Sequence, residues 1–162
     1  MDLIRDFRPS DAEAICNIYN YYILQTHHTF ETEVINEEEI VDRIKNIQKS
    51  YPFIVYENNN EVWAYAYANR WKARRAYDQT VESTIYVKKE KQGKGVGSKL
   101  YTELLKRLKR LDIHCVLGGI SLPNDSSIYL HEKLGFKKSG VLREVGYKFE
   151  KRIDVGYWTL IM

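Results

Sequence analysis

The chain has 162 residues, of which 44% are hydrophobic and 29% charged, and its formal net charge is +3. This composition is typical of a globular protein with a sizeable core, so we expect a single domain spanning residues 1–162. The small net charge excludes a general nucleic-acid binder, and no apolar run approaches the roughly 20 residues of a membrane span.

The first part of the chain predicts one strand and two helices. Residues 3–8 alternate loosely as a strand. A capping box that starts at Ser10 opens a helix over about 11–24, and Asn36 repeats the signal for a helix that ends near residue 49.

Two strands follow, and a turn of three asparagines joins them. They are predicted over 51–56 and 62–69, with the turn at 58–60. Large and small residues alternate from Trp63 to Ala68, so we expect one face of the second strand to carry all of its aromatic side chains. A basic and aromatic loop then covers 70–79.

The second half predicts strands and helices in turn. A β-branched and aromatic strand over 81–87 leads through a glycine-rich turn into a helix from Ser98. A buried strand over 113–117, a helix over 124–134 that Gly135 ends, and two final strands complete the chain. The order βααβββαβαββ favours an α/β or α+β fold, with a mixed, twisted sheet and helices on both faces.

The glycine-rich turn has the architecture of a phosphate site. Glycines let the backbone approach an anion, and the free N–H groups and dipole of a helix start attract negative charge. Lys91, Lys94 and Lys99 add full positive charges. The turn is neither a Walker motif nor the dinucleotide motif G-x-G-x-x-G, because its glycines lie at 93, 95 and 97.

The two cysteines, Cys16 and Cys115, lie in apolar patterns. We expect no disulfide framework, and neither cysteine stands beside a base that would activate it as a nucleophile. Any group transfer is therefore expected to be direct, without a covalent enzyme intermediate. The N-terminal residues do not have the shape of a signal peptide, so a cytoplasmic protein is expected.

The pattern Q-x-x-G-x-G from Gln92 to Gly97 resembles the pyrophosphate loop of the GNAT superfamily of N-acetyltransferases, which bind acetyl-CoA. Asn124, followed by a helix that ends Leu134-Gly135-Phe136, resembles the closing motif of that superfamily. Most members have a tyrosine four residues before that glycine, whereas this chain has His131.

With His131 at that position and four further local motifs, the sequence resembles one branch of the superfamily, the phosphinothricin N-acetyltransferases. The sequence is also similar to the methionine sulfone and methionine sulfoximine acetyltransferases of that branch. The motifs are 71–74, 77–78, 80–84 and 146–148. The resemblance spans nearly the whole chain and implies a homodimer, with no nucleic-acid or membrane partner.

The resemblance implies acetyl-CoA as cosubstrate and no metal. The pyrophosphate would bind backbone N–H groups of the loop, and the pantetheine arm would pair with the central strand, where a bulge or splay leaves N–H groups free for the oxyanion. Asn124 either holds the pantetheine amides or is an ordinary helix N-cap, and both can hold at once. The expected ligands are Ile85, Tyr86, Val87, Gln92, Gly93, Lys94, Gly95, Val96, Gly97, Ser98 and Asn124.

Acetyl transfer to an amine requires a base, because an α-amino group arrives mostly as ammonium. Glu82 is the candidate, although the residues alone describe a solvent-facing strand glutamate equally well; the resemblance implies the base. His131 alone would be a solvated helix residue. The resemblance places His131 where most members have a tyrosine that protonates the departing coenzyme A thiolate. His131 is therefore a candidate for one of three roles: to donate that proton, to relay the proton of the amine, or to hydrogen-bond the substrate.

The resemblance implies a small amino acid with a tetrahedral, polar head as the acceptor, and Arg, Lys and Tyr donors suit its oxygens. Core packing remains an alternative for each aromatic candidate. Adjacent histidines point apart on regular structure, so His27 and His28 do not predict a metal pair. The expected substrate residues are Phe30, Tyr67, Lys72, Arg74, Tyr77, Thr84 and Tyr86.

Two other functions remain open. The same fold acetylates other amines, such as a polyamine, an aminoglycoside or a protein N-terminus, but cationic acceptors favour acidic pockets and the 70–79 loop is basic. A non-catalytic acetyl-CoA sensor is the other alternative, and the presence of both Glu82 and His131 argues against it.

Overall fold

The computed structural model describes residues 1–162 as a seven-stranded sheet with four helices packed against its two faces. This confirms the predicted α/β fold class and the order of elements. No helix is long and apolar enough to cross a lipid bilayer. The elements are β1 (Asp2–Asp6), α1 (Ala12–Gln25), α2 (Glu37–Gln48), β2 (Phe53–Asn58), β3 (Glu61–Arg70), β4 (Thr80–Val87), α3 (Val96–Lys109), β5 (Cys115–Ser121), α4 (Asp125–Lys133), β6 (Lys137–Lys148) and β7 (Lys151–Ile161).

The strands lie in the order β1-β2-β3-β4-β5-β7-β6, and only β4 and β5 are parallel. Their pairing covers three positions, from Thr80 opposite Cys115 to Glu82 opposite Leu117. Beyond them, β4 runs on to Val87 without a neighbour on that side. The sheet therefore splits in its middle and opens a gap between its two halves.

Each face of the sheet has its own core. The alanines of β3 are fully buried under α3, and their small side chains let the helix pack close to the sheet. The opposite face packs against α1 and α2 through the aromatic side chains of Tyr65 and Phe53. The inward face of α3 carries Leu100, Leu104 and Leu108, and that of α1 carries Ile15, Ile18 and Tyr22.

The prediction that one face of β3 carries all of its aromatic side chains is wrong for Trp63. The register between β2 and β3 shifts between Tyr56 and Glu57, so that one extra residue enters β3. Such a bulge turns the side chain that follows it to the other face. Trp63 therefore stacks on Tyr56 on the α3 side, with ring centroids 6.0 Å apart, whereas Tyr65 and Tyr67 keep the predicted face.

Three predicted boundaries are also corrected. The carboxylate of Asp11, not Ser10, accepts the Arg8 N–H at 2.7 Å before α1. Helix α3 begins at Val96 instead of Ser98, because Gly95 is its N-cap. Strand β5 starts at Cys115 and continues through two glycines to Ser121, since pairing with β7 outweighs the poor strand propensity of glycine.

Candidate active site

The gap between β4 and β5 holds the main cavity, with a volume of about 630 Å³. The two predicted catalytic residues line it. So do all the predicted cofactor ligands except Lys94. Residues that the sequence analysis had assigned to one site, from four separate segments of the chain, therefore lie together around the gap.

The gap exposes backbone groups of β4. Lys88 donates its N–H to the Trp63 carbonyl at 2.7 Å, so the even-numbered residues of this strand direct their backbone groups at β3. Ile85 and Val87 consequently face the gap, as expected for partners of a pantetheine arm. The Tyr86 backbone, which was also predicted to face the cofactor, points at β3, and it is its side chain that lines the cavity.

The glycine loop has the conformation of an anion cradle. Gly93 and Gly95 have φ angles of 74° and 76°, which only glycine adopts without strain. The loop delivers its N–H groups at the start of α3, where the helix dipole is positive. The residues present therefore fit a pyrophosphate.

Two of the three lysines around the loop already pair with carboxylates, so they are less available to an anion than predicted. Lys99 pairs with Asp2 at 2.8 Å, and Lys91 pairs with Glu61 at 3.1 Å. Lys94 lies with its Nζ 5.8 Å from the Trp63 ring and does not line the cavity. The backbone of the loop, more than its lysines, therefore carries the features that fit an anion.

We expect Gly95→Ala to raise the KM for acetyl-CoA about tenfold. An L-residue at this φ angle costs roughly 1–2 kcal/mol, and relief of that strain turns the loop N–H groups away from the phosphate position. Steady-state kinetics with varied acetyl-CoA measures the effect. Gly140→Ala is the control, because a Cβ there meets open space and the φ angle is ordinary. An unchanged KM would contradict the assignment of the loop.

Tyr22 of α1 is a cavity residue that the sequence analysis did not predict. Its hydroxyl donates to the Val87 carbonyl at 2.6 Å and accepts from the Gln92 side chain at 2.8 Å. Its ring packs on that of Tyr86, with centroids 4.8 Å apart. Tyr22 thus ties the end of β4 to the first residue of the glycine loop.

Asn124 is an N-cap, since its Oδ1 accepts the Ser127 N–H at 3.2 Å at the start of α4. It also lines the cavity. Both interpretations of this residue therefore remain compatible, and its contact with the pantetheine arm stays a prediction.

Glu82 stands at the point where the sheet splits, as the last residue of β4 that pairs with β5. Its side chain shares a face with Thr84 and Tyr86, because alternate residues of a strand point the same way. Burial raises the pKa of the Glu82 carboxyl above its ordinary value, and no hydrogen bond or neighbouring cation offsets that shift. A carboxylate without a partner beside a cavity can bind an ammonium group and accept its proton.

His131 is buried, with 4% of its surface exposed, and approaches the gap from the α3 side. Its Nδ1 donates to the Ser127 carbonyl at 2.7 Å, so in the neutral ring Nε2 is an acceptor. Nε2 lies 3.1 Å from the Tyr101 hydroxyl, which also contacts Ser83. Burial lowers the pKa of His131, so the ring is held neutral and fixed.

Two neighbouring glycines of β5 make room for these candidates from opposite faces. A Cβ on Gly118 would lie 2.4 Å from His131 Nε2. A Cβ on Gly119 would lie 2.8 Å from Glu82 Oε1 and 3.3 Å from the Tyr157 ring. The backbone of β5 alone therefore separates the histidine from the carboxylate.

Two of the predicted substrate residues, Thr84 and Tyr86, line the cavity. Tyr67 stands opposite Thr84 in the pairing of β3 with β4, but it lines a second cavity of about 370 Å³ beside α2. The remaining four lie outside both cavities: Phe30, Lys72, Arg74 and Tyr77.

The 71–79 loop lies next to the site without lining the cavity. Trp71 packs edge-to-face on Tyr157, with centroids 5.6 Å apart. Lys72 lies with its Nζ 5.6 Å from the Trp71 ring and 5.9 Å from that of Tyr77. Arg74 is exposed.

The connection between α1 and α2 packs on the far end of the sheet. Phe30 lies against Gly146, where a Cβ would be 2.3 Å from its ring. The buried Lys148 Nζ donates to the Thr29 carbonyl at 2.8 Å. Phe30 packs on β6 with 40% of its surface exposed, and its contact with a substrate stays a prediction.

The adjacent histidines have separate roles. His27 Nδ1 lies 3.0 Å from Ser121 Oγ, which links the connection to the end of β5. His28 lines the cavity beside Tyr22, and burial lowers its pKa. The structure contains no group of three or more His, Cys, Asp or Glu side chains spaced to hold a metal ion.

Known proteins resemble this chain over nearly its whole length. The family described as the acetyltransferase (GNAT) domain matches residues 4–156. A phosphinothricin N-acetyltransferase from Streptomyces viridochromogenes is 44% identical over 155 residues, which are 96% of this chain and 85% of that protein. An L-methionine sulfoximine/L-methionine sulfone acetyltransferase from Salmonella typhimurium is 32% identical, over 97% of this chain and 92% of that protein.

A solved structure agrees with both the fold and the cosubstrate. The GNAT superfamily phosphinothricin acetyltransferase from Sinorhizobium meliloti, in complex with acetyl-CoA, superposes with a TM-score of 0.95. It is 31% identical, over 99% of this chain and 88% of that chain. The predicted resemblance is thereby confirmed, and the chain belongs to the GNAT family of acetyltransferases as an N-acetyltransferase that uses acetyl-CoA.

Proposed function

We propose that this enzyme acetylates the α-amino group of a small amino acid with a tetrahedral, polar head, of the phosphinothricin, methionine sulfoximine or methionine sulfone type. The observation that carries the proposal is the partly buried Glu82 carboxylate, without a partner, at the split in the sheet. The names of the two relatives supply the acceptor class. Nothing in the site is acidic apart from Glu82, which disfavours polycationic acceptors.

Glu82 is proposed to act as the general base. Its negative charge holds the acceptor's ammonium group at the gap, and its raised pKa makes it a stronger proton acceptor than an exposed glutamate. Acetyl-CoA, when bound, supplies the acetyl thioester. The amine that Glu82 deprotonates attacks that carbonyl directly, because the two cysteines lie outside the cavity. The C–S bond of the resulting adduct then breaks, and coenzyme A leaves as its thiolate, which takes up the second proton that the attacking nitrogen gives up.

The backbone N–H groups of Ile85 and Val87 are proposed to hold the pantetheine arm and to stabilise the oxyanion. His131 offers a lone pair at Nε2, not a proton, because its Nδ1–H is bound to the Ser127 carbonyl. We therefore favour the relay role for His131, with the Tyr101 hydroxyl as its partner.

Thiol release from acetyl-CoA with a panel of acceptors tests the proposal. The panel contains phosphinothricin, methionine sulfoximine, methionine sulfone, spermidine, an aminoglycoside and a peptide. We expect turnover only with the first three. Fast turnover of a cationic acceptor, or no turnover with any of them despite tight acetyl-CoA binding, would overturn the acceptor assignment. The second result would favour an acetyl-CoA sensor.

A single domain over residues 1–162, a cytoplasmic location and a homodimer remain our proposals. Exposed apolar side chains on the edge strand β6, those of Leu142, Val145 and Tyr147, support a contact between copies. The molar mass of the purified protein in solution tests the dimer.

A further inference from the structure

The unexplained feature of the site is the separation between Glu82 and the basic 71–79 loop. The loop carries the positive charge expected to bind the head of the acceptor, yet it does not line the cavity. One side chain lies between them. Tyr157 of β7 is the cross-strand partner of Gly119 and packs on Trp71 of the loop; like the loop, it does not line the cavity.

Glu82 and Tyr157 flank the same position. A Cβ on Gly119 would meet Glu82 Oε1 at 2.8 Å and Tyr157 Cε1 at 3.3 Å, so both groups border the space that this glycine leaves open. The pKa of the Tyr157 hydroxyl is raised, first by burial and then by the Glu82 charge. The phenol is therefore neutral and remains a hydrogen-bond donor.

Tyr157 also contacts the 71–79 loop through Trp71. Its ring packs edge-to-face on Trp71 at 5.6 Å and an angle of 74°. Lys72 lies over both Trp71 and Tyr77 through cation–π contacts and has no carboxylate partner. Glu82, Tyr157, Trp71 and Lys72 thus follow one another as a row with a free negative charge at one end and a free positive charge at the other.

We propose that Tyr157 is a specificity-determining residue of the acceptor site, which spans the row from the ammonium end at Glu82 to the head-group end at Lys72. Its hydroxyl donates to an oxygen of the tetrahedral head, and its ring fixes Trp71 and hence Lys72. A zwitterion whose amine and oxygen-rich head are a few bonds apart matches this row, whereas a polycation does not. This inference rests on the proposed function.

The test compares Tyr157→Phe with wild type, using phosphinothricin and methionine sulfone. We expect Tyr157→Phe to raise the KM of both acceptors about tenfold, the effect of one lost hydrogen bond to a polar head, with the KM for acetyl-CoA unchanged. Lys72→Met is expected to raise the KM of phosphinothricin, whose phosphinate is anionic, more than that of the neutral sulfone.

Tyr51→Phe is the control, because Tyr51 is half-buried between α2 and β2, lies outside the row and lines neither cavity. Equal acceptor KM values in Tyr157→Phe and wild type overturn the inference and leave the proposed function standing. Wild-type turnover with neither acceptor overturns both. If KM for acetyl-CoA and the melting temperature change together with the acceptor KM, Tyr157 has a merely structural role and the inference fails.

Discussion

Replacement of Glu82 by glutamine is expected to lower kcat by about 10²- to 10⁴-fold, the usual loss when a general base is removed. Glutamine has the shape of glutamate but neither holds an ammonium ion nor accepts its proton. Acetyl-CoA binding should be unchanged, because its expected partners are backbone groups farther along β4 and in the glycine loop. Stopped assays of thiol release at saturating acetyl-CoA measure the loss.

The same variant has a defined effect on the pH dependence of the rate. The Glu82 pKa is raised, so the active carboxylate forms only as the pH rises above the ordinary range of a glutamate. Wild-type kcat/KM is therefore expected to increase with pH through the raised pKa, and this acid limb should disappear in Glu82→Gln.

Stability separates this result from misfolding. A carboxyl whose folded-state pKa is raised stabilises the protein below its unfolded pKa, and that stabilisation is lost as the pH rises through the folded pKa. At neutral pH the neutral glutamine should therefore leave the free energy of unfolding equal or higher. Glu38→Gln, an exposed change on α2, is the control. A Glu82→Gln enzyme within threefold of wild type would exclude the base role.

Gly118→Ala is expected to lower the free energy of unfolding by about 1–3 kcal/mol, the cost of forcing atoms into a packed interior. The new Cβ would lie 2.4 Å from His131 Nε2. The His131 ring cannot move aside easily, because its Nδ1 is bound to the Ser127 carbonyl at 2.7 Å and the centroid of the Phe136 ring lies 5.0 Å from its own. Urea unfolding followed by circular dichroism measures the change.

Activity should fall with stability in Gly118→Ala, because displacement of His131 breaks its contact with the Tyr101 hydroxyl. Gly140→Ala is the matched control in β6, where a Cβ meets nothing within 4 Å. Wild-type stability together with wild-type activity in Gly118→Ala would show that His131 moves freely, contrary to its packing.

The sequence was sufficient for the features that depend on neighbouring residues. The run from Thr80 to Ser98, with its strand, glycines and helix start, predicted the strand–turn–helix order of this segment and the conformation of its glycine loop. Glu82 and His131 were identified through the family motifs, and the structure brings both to one cavity.

Features that depend on pairing between distant segments could not be read in this way. The bulge that turns Trp63 over depends on how β2 pairs with β3. Tyr157 is one of 13 tyrosines, and only its pairing with Gly119 places it beside Glu82. The role of Tyr22 was missed because its position on α1 predicts burial but not the partner of its hydroxyl.

The early separation of β4 from β5 has a consequence for the lifetime of the protein. Beyond Glu82, β4 has no neighbour on the β5 side, and in the proposed complex the pantetheine arm of acetyl-CoA takes that place. A ligand that binds only the folded chain at 100 times its Kd adds about 2.7 kcal/mol to the free energy of unfolding. The melting temperature and the resistance to proteolysis would then rise with the concentration of acetyl-CoA. In a cell with little acetyl-CoA, a larger fraction of the enzyme would be degraded.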